Sequence, residues 1–424
     1  MIKGSLAKGA PAAPAPEAEA LGSKDVIPSR RASIFNKCSK FTRAQDLIKA
    51  GIYPYFQVVE SAQEPEVVCD GRPMIMVSSN NYLGLTNHPE VKEAAIEAVR
   101  RYGTGCAGSM FLNGTLSIHK ELEERLANFL GKEQAIVFPT GFQANLGAIS
   151  ALVGKNELIV IDKMNHASIF DGCRLSFGQI RKFRHNDMED LERILQMNEG
   201  RNTLVVVDGV FSMEGDIIDL PGMVDVCRRY GTGIMVDDAH GIGVLGEHGR
   251  GTGEHFGLED DVDLIMGTYS KSLATIGGCL AGDSDIMDYL KHHARSLIFS
   301  ASLPPAPVAA ALTALKIIES EPERRENLWR NAQYLSEGYK SLGFDIGTSE
   351  TPIIPVMVGD EEKVLVMWRR LFDEGVFASP VLYPAVPQGM AMIRTSCMAT
   401  HTQDHLDKVL DVFARVGREI GLID

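Results

Sequence analysis

The sequence predicts an α/β fold, with a large domain on a mostly parallel sheet covered by helices and a smaller α+β domain at the C-terminus. Two observations carry this. Across residues 90–305, short apolar strands alternate with amphipathic helical stretches, and strands apolar on both faces belong to a buried parallel sheet. After Pro304-Pro305 the pattern changes to long helical stretches and scattered strands.

The elements follow in order. Residues 1–32 are rich in Ala, Pro, Gly and Ser, as in Ala10-Pro11-Ala12-Ala13-Pro14-Ala15-Pro16. They cannot bury enough apolar surface to offset their ordering entropy and are expected to form a flexible tail. Residues 33–89 form an N-terminal segment, with a helix over Lys40–Ala50 and a hairpin over Val67–Val77 turning at Asp70-Gly71. In the large domain, 90–305, a strand over Ala135–Phe138 precedes a helix over Phe142–Leu152. A strand over Leu158–Ile161 precedes a helix opening at Ser168. Ile180–Phe183 is a strand, after which Asn186 caps a helix with Glu189 three residues on, a variant of the capping box. Leu204–Val207 and Ile234–Val236 are strands rich in β-branched residues. The smaller domain, 306–424, carries a helical stretch over Pro307–Leu342, a strand over Ile353–Val358 and a helix over Glu361–Glu374. Short strands near Val376 and Met392 and a last helix over Gln403–Ile420 complete it.

The net charge of −14 over 424 residues argues against nucleic acid as a partner. The seven cysteines, Cys38, Cys69, Cys106, Cys173, Cys227, Cys279 and Cys397, form no CxxC pair and no zinc spacing. They read as reduced thiols of a cytoplasmic protein, with no metal site expected. No apolar run approaches the roughly 18–20 residues of a membrane span, and no secretory apolar region follows Met1. Peripheral contact with a membrane surface stays open.

The chemistry gathers at strand ends. The strand Leu264-Ile265-Met266-Gly267 runs into Thr268-Tyr269-Ser270-Lys271, and upstream Gly233-Ile234-Met235-Val236 ends in Asp237-Asp238-Ala239-His240. A carboxylate after one buried strand and a lysine after the next suit pyridoxal phosphate, whose aldehyde needs an amine and whose ring nitrogen needs an acid. Taken singly, Lys271 reads as a surface lysine and Asp237 as a helix cap. At Pro139-Thr140-Gly141-Phe142 a strand turns into a helix, whose N-terminus favours an anion such as phosphate. Asp162-Lys163-Met164-Asn165-His166 and Asp208–Asp216 follow two further strands. All these segments lie beyond the carboxyl ends of strands, where open parallel sheets bind ligands.

Other segments carry less. Gly103-Thr104-Gly105-Cys106-Ala107-Gly108 follows a helix and lacks the ending of a P-loop. His292-His293 reads as solvated, and Glu259-Asp260-Asp261 has no metal-ligand spacing. Arg394, within Met392-Ile393-Arg394-Thr395-Ser396, is a cation in apolar surroundings that needs a partner, either a structural acid or a substrate carboxylate.

About residues 45–420 resemble the α-oxoamine synthases, a family of fold-type-I pyridoxal phosphate-dependent transferases. The motifs are Asn80-Asn81-Tyr82-Leu83-Gly84, Asn113-Gly114-Thr115, Asn165-His166-Ala167-Ser168, Asp237-Asp238-Ala239-His240 and Gly267-Thr268-Tyr269-Ser270-Lys271. Within the family the likeness is strongest to bacterial members that use serine and a long-chain acyl thioester, through Gly103–Thr115, Phe211–Asp216 and Leu297–Pro305. The resemblance implies that Lys271 forms the Schiff base and moves protons at Cα. It implies that Asp237 pairs with the pyridinium nitrogen, His240 hydrogen-bonds the phenolic oxygen and His166 stacks on the ring and helps place the substrate carboxylate. Gly141, Phe142, Thr268 and Ser270 would hold the phosphate, joined by Ser300 from across the interface of a homodimer with shared sites. Asn81 would lie near the substrate entrance, and Arg394 would hold the amino-acid carboxylate.

The reaction so implied is a decarboxylating condensation of L-serine with a long-chain acyl-CoA, palmitoyl-CoA, to 3-ketodihydrosphingosine, CoA and CO2. Two positions depart from several relatives. Met110 stands where they have arginine, and Leu382-Tyr383-Pro384 where they have Arg-Pro-Pro. The second stretch is closer to glycine-using members. The rival readings are glycine with acetyl-CoA, alanine with pimeloyl-CoA, an aminotransferase on the same fold, and a regulatory subunit. The last is expected to lack the lysine, whereas this chain keeps Lys271, Asp237, His240 and His166.

Overall fold

The computed structural model describes residues 33–424, so the expected tail over 1–32 lies outside the described residues. By its contacts the chain divides into two units at Ala50 and Gly51. The described part of the first holds short helices, Asn36–Ser39 and Arg43–Lys49. The expected helix over Lys40–Ala50 therefore begins only at Arg43.

In the second unit, the described residues form three sheets. The largest has seven strands: β3 (Gln134–Phe138), β4 (Leu158–Asp162), β5 (Gln179–Phe183), β6 (Thr203–Asp208), β7 (Gly233–Asp237), β8 (Leu264–Thr268) and β9 (Gly278–Gly282). Their order across the sheet is β3-β9-β8-β7-β6-β4-β5. Strands β5, β4, β6, β7 and β8 run parallel. β9 runs antiparallel to both its neighbours, β3 and β8. Its connection from β8, residues 269–277, is shorter than the dozen or more residues that a parallel crossover needs. That reversal places Lys271 on a short loop at the sheet's end. Every residue of β4 is buried, as continuous Leu-Ile-Val-Ile demands of a strand covered on both faces.

Helices cover the sheet where the sequence places them, with two differences. The helix Met188–Gln196 is capped by Asp187, whose carboxylate accepts from the Asp190 N–H at 2.9 Å, and not by Asn186. Asn186 instead takes a left-handed conformation at φ 51°. The single stretch expected over Pro307–Leu342 is two helices, Pro305–Ser320 and Pro322–Ser341. Pro322 has no N–H and disfavours helical geometry in the residue before it, and Glu321 accordingly sits at φ −125°, ψ 67°.

The hairpin of β1 (Glu66–Cys69) and β2 (Arg72–Met76) forms as expected and is joined by β11 (Val376–Phe377), which runs parallel to β2. The other small sheet is antiparallel, ordered β10 (Ile353–Gly359), β13 (Ala391–Ser396), β12 (Ser379–Val381). Hence the expected strands near Val376 and Met392 lie in different sheets. Ser379 and Arg394 are cross-strand partners in the second.

Candidate active site

A cavity of about 650 Å³ opens where the parallel strands end. Four strands deliver a polar residue there or beside it: β4 ends in Asp162, β6 in Asp208, β7 in Asp237 and β8 in Thr268. Lys271, His166, Asp237, His240, Gly141, Phe142, Thr268, Ser270 and Arg394 all line the cavity, so the structure gathers nearly all the candidates in one place.

Asp237 is buried, and both its oxygens are held. Asn145 donates its amide to Oδ2 at 2.7 Å, and the Ala239 N–H donates to Oδ1 at 3.1 Å. The same Asn145 amide donates to Ser168 Oγ at 2.8 Å. Beside it, Asp208 accepts the His166 N–H at 2.9 Å and leaves its other oxygen buried without a partner. Burial and the charge of Asp237 push the Asp208 pKa well up. The Lys271 amine is pulled the other way. Loss of water lowers its pKa to about 8, with Asp237 and Asp208 partly offsetting the shift. An amine whose pKa lies close to working pH, beside a fixed carboxylate, can react with an aldehyde and pass a proton.

Two imidazoles complete the centre. His166 Nδ1 lies 2.7 Å from Ser168 Oγ, and its ring meets Phe142 edge-on at 6.3 Å. His240 Nδ1 lies 2.7 Å from the phenol of Tyr82. Burial, then the charge of Lys271, pushes the pKa of His240 well down, and that of His166 is lowered chiefly by burial.

At one edge, the helix Gly141–Leu152 points its N-terminus at the cavity, capped by Thr140 accepting from the Gln143 N–H at 3.1 Å. A side chain on Gly141 would meet the Thr268 side chain at 2.7 Å. The hydroxyls of Thr268 and Ser270 lie 3.2 Å apart. Bare backbone, a helix N-terminus and two hydroxyls make a cradle for an anion. Arg394, buried and also lining the cavity, donates Nε to the Ser212 carbonyl at 2.7 Å and Nη2 to Asn80 Oδ1 at 2.9 Å.

Two candidates stand apart from the lining. Asn81 donates to the Gln63 carbonyl at 3.3 Å and accepts from the Thr86 N–H at 3.2 Å, while its neighbour Asn80 lines the cavity. Ser300 accepts from Gln143 Nε2 at 2.9 Å. Leu382 is buried and also lies off the lining, so an arginine is absent from that position and Arg394 supplies the guanidinium in the cavity. Sequence reasoning placed the Asp208–Asp216 segment at this end of the sheet and Asn80 and Tyr82 in a family motif, but gave these residues and Asn145 no individual role. The available signal for Asn145 was a polar side chain one helical turn after Gly141 in a stretch of small apolar residues. Among the described residues no cluster of His, Cys, Asp or Glu is arranged to hold a metal ion, and no helix is long and apolar enough to cross a membrane.

Residues 72–413 match the family aminotransferase class I and II. The chain is 51% identical to a serine palmitoyltransferase of Sphingobacterium spiritivorum over 390 residues, 92% of this chain and 98% of that one. It is 46% identical to an 8-amino-7-oxononanoate synthase of Thermoanaerobacter pseudethanolicus over 383 residues, 90% and 97% of the two chains. Among solved structures, a serine palmitoyltransferase variant from S. paucimobilis with a PLP–myriocin adduct bound superposes with a TM-score of 0.89. It has 40% identity and covers 92% of this chain and 99% of that one.

Proposed function

Because this chain belongs to the aminotransferase class I and II family, and within it to the α-oxoamine synthases, we propose that it condenses L-serine with palmitoyl-CoA to give 3-ketodihydrosphingosine, CoA and CO2. The observation that carries this reading is 51% identity to a serine palmitoyltransferase across nearly the whole of both chains, with the lysine, carboxylate and guanidinium gathered in one cavity.

The cavity fits pyridoxal phosphate. The Gly141 cradle with Thr268 and Ser270 would take the phosphate, and in a dimer Ser300 of one protomer would reach the phosphate of the other. Asp237, fixed through both oxygens, would face the ring nitrogen. Phe142 and His166, which line the cavity, would flank the ring, and His240 would hydrogen-bond its phenolic oxygen. When bound, pyridoxal phosphate draws electrons from the Cα of an attached amino acid and so makes that carbon acidic. Lys271, its pKa lowered by burial toward the working range, takes the Cα proton and later returns one. Arg394 and His166 hold the serine carboxylate, and Asn81 borders the entrance. The serine Cα forms its bond to the thioester carbonyl carbon, the CoA thiolate leaves, and the carboxylate departs as CO2. Fixing the carboxylate matters because the reacting bond must be held in one orientation for the step to go.

The homodimer and the cytoplasmic location belong to the same reading. Supporting the dimer, Phe111, Leu112, Ile276 and Phe299 are exposed, Leu112 at 80% and Phe299 at 74%. Large apolar side chains left in water are of the kind that a second copy of the chain would cover.

The test is a titration of the purified holoprotein with serine, glycine and alanine, following the cofactor's visible absorption. A saturable response to serine at the lowest concentration supports the reading. Preference for glycine or alanine moves the function to acetyl-CoA or pimeloyl-CoA chemistry within the family. No visible band at all would overturn it.

A further inference from the structure

Outside the groups assigned above, one side chain ties the substrate cavity to the main sheet. His185 follows β5 and stands between two acids. Its Nδ1 lies 3.1 and 3.2 Å from the two oxygens of Asp162, at the end of β4, and its Nε2 lies 2.9 Å from Oδ2 of Asp216. The ring meets Phe211 edge-on, centroids 4.4 Å apart. With a carboxylate on each nitrogen, both nitrogens donate and the ring is an imidazolium. Burial opposes that charge, but the hydrogen bonds and charges of Asp162 and Asp216 outweigh it and push the pKa up to about 10.

Asp216 closes a loop that reaches the cavity. Val210 and Ile217 bridge its base. The Phe211 N–H donates to the Asp216 carbonyl at 3.0 Å, and the Gly215 N–H to the Phe211 carbonyl at 2.9 Å. From the small-sheet side, Thr351 Oγ1 donates to the Gly215 carbonyl at 2.8 Å and the Glu350 N–H to the same oxygen at 3.1 Å. Beside His185, Asn186 Nδ2 donates to the Ile217 carbonyl at 3.0 Å. On the inner side, Val210, Ser212 and Met213 line the cavity, and the Ser212 carbonyl accepts Nε of Arg394. Asp216 takes its side-chain hydrogen bond from His185. Asp216 Oδ1 and Glu214 Oε1 are buried without partners, and burial raises the pKa of Glu214. Without the imidazolium, Asp162 and Asp216 would face each other with no cation between them.

We propose that His185 is a positioning residue for the amino-acid substrate: clamped between Asp162 and Asp216, it holds the loop 210–217 so that the Ser212 carbonyl orients the Arg394 guanidinium toward the substrate carboxylate. This rests on the assignment of Arg394 above. The clamp acts at a distance from the reacting atoms, so its loss falls on serine binding and leaves cofactor binding in place.

The experiment is the serine titration of the visible band, with cofactor affinity and steady-state rates measured alongside. His185→Gln should weaken serine binding on the order of tenfold, as coupling through one contact does. The cofactor's dissociation constant should change by less than roughly threefold, while kcat/KM for serine falls along with the serine affinity. The pair His185→Gln with Asp216→Asn, which replaces the charged contact by two amides, should recover part of the serine affinity. Wild-type serine affinity in His185→Gln, with only a lower melting temperature, would overturn the proposal. Should that variant fail to fold, Asp216→Asn decides alone, and unchanged serine affinity in it overturns the proposal equally. Arg394→Lys is the control. If it binds serine as wild type does, the Arg394 assignment falls and this inference with it. A wild-type protein that ignores serine overturns the functional reading itself.

Discussion

The phenol of Tyr82 lies 2.7 Å from Nδ1 of His240, and this contact settles which ring nitrogen carries hydrogen. Burial raises the Tyr82 pKa to about 12, so the phenol keeps its proton. The other acceptor, Asn80 Oδ1, is 3.4 Å away and already takes Arg394 Nη2. His240 is neutral because burial, Lys271, Arg394 and His166 all disfavour its charge. The phenol therefore donates to Nδ1, and Nε2–H is the hydrogen of the imidazole. Tyr82→Phe leaves a buried Nδ1 without a partner, which costs about 1–3 kcal/mol in chemical denaturation. It should also shift the pH midpoint of the bound cofactor's visible band.

Lys271→Ala removes the amine that the sheet reversal between β8 and β9 delivers. Turnover should fall to background and the wild-type visible band should vanish on adding cofactor. Turnover retained at more than a trace would refute the assigned chemistry.

Arg394→Lys keeps a charge but cannot reach Ser212 and Asn80 with one planar fork. Misplacing the carboxylate by about an ångström costs on the order of 100-fold, and that loss should appear in kcat/KM for serine. The KM for the acyl-CoA should stay within a few-fold of wild type.

Gly141→Ala forces a methyl group against the Thr268 side chain at 2.7 Å. Thr268 must give way or the helix start must retreat, and either change widens the phosphate cradle. Equilibrium dialysis should find cofactor affinity reduced by about tenfold, the equivalent of some 1.4 kcal/mol.

His185 also predicts a pH dependence of stability. Its folded pKa, about 10, lies above its ordinary 6.5, so the folded state binds the proton more tightly. The stabilisation is complete below pH 6.5, declines as pH rises from there and is gone above about 10. Denaturation of wild type and His185→Gln should differ most near pH 6 and converge toward pH 10. A gap that widened with pH would mean the imidazole is neutral in the fold.

The strands of the main sheet are legible because burial on both faces demands unbroken apolar runs, as in β4. Lys271, Asp237 and His240 are legible for a related reason, since they follow such runs and so must lie at the sheet's end. What the sequence hides are contacts between distant segments. Asn145 meets Asp237 across 92 positions, and Tyr82 meets His240 across 158. Neither pairing leaves a periodic trace. The pairing of β11 with β2 is hidden in the same way, since a two-residue strand carries no period. The break at Pro322 was written in the chain, but the amphipathic pattern on both sides of it reads as continuous.

Arg394 is rooted in one sheet and grips the loop that leaves another. Its backbone belongs to β13, while its guanidinium is tied to Ser212, beyond β6. It therefore works as a gauge of the gap between the two layers. If Arg394 holds the amino acid as proposed, a shift of either layer, whether from solvent, temperature or a distant substitution, would slacken that hold.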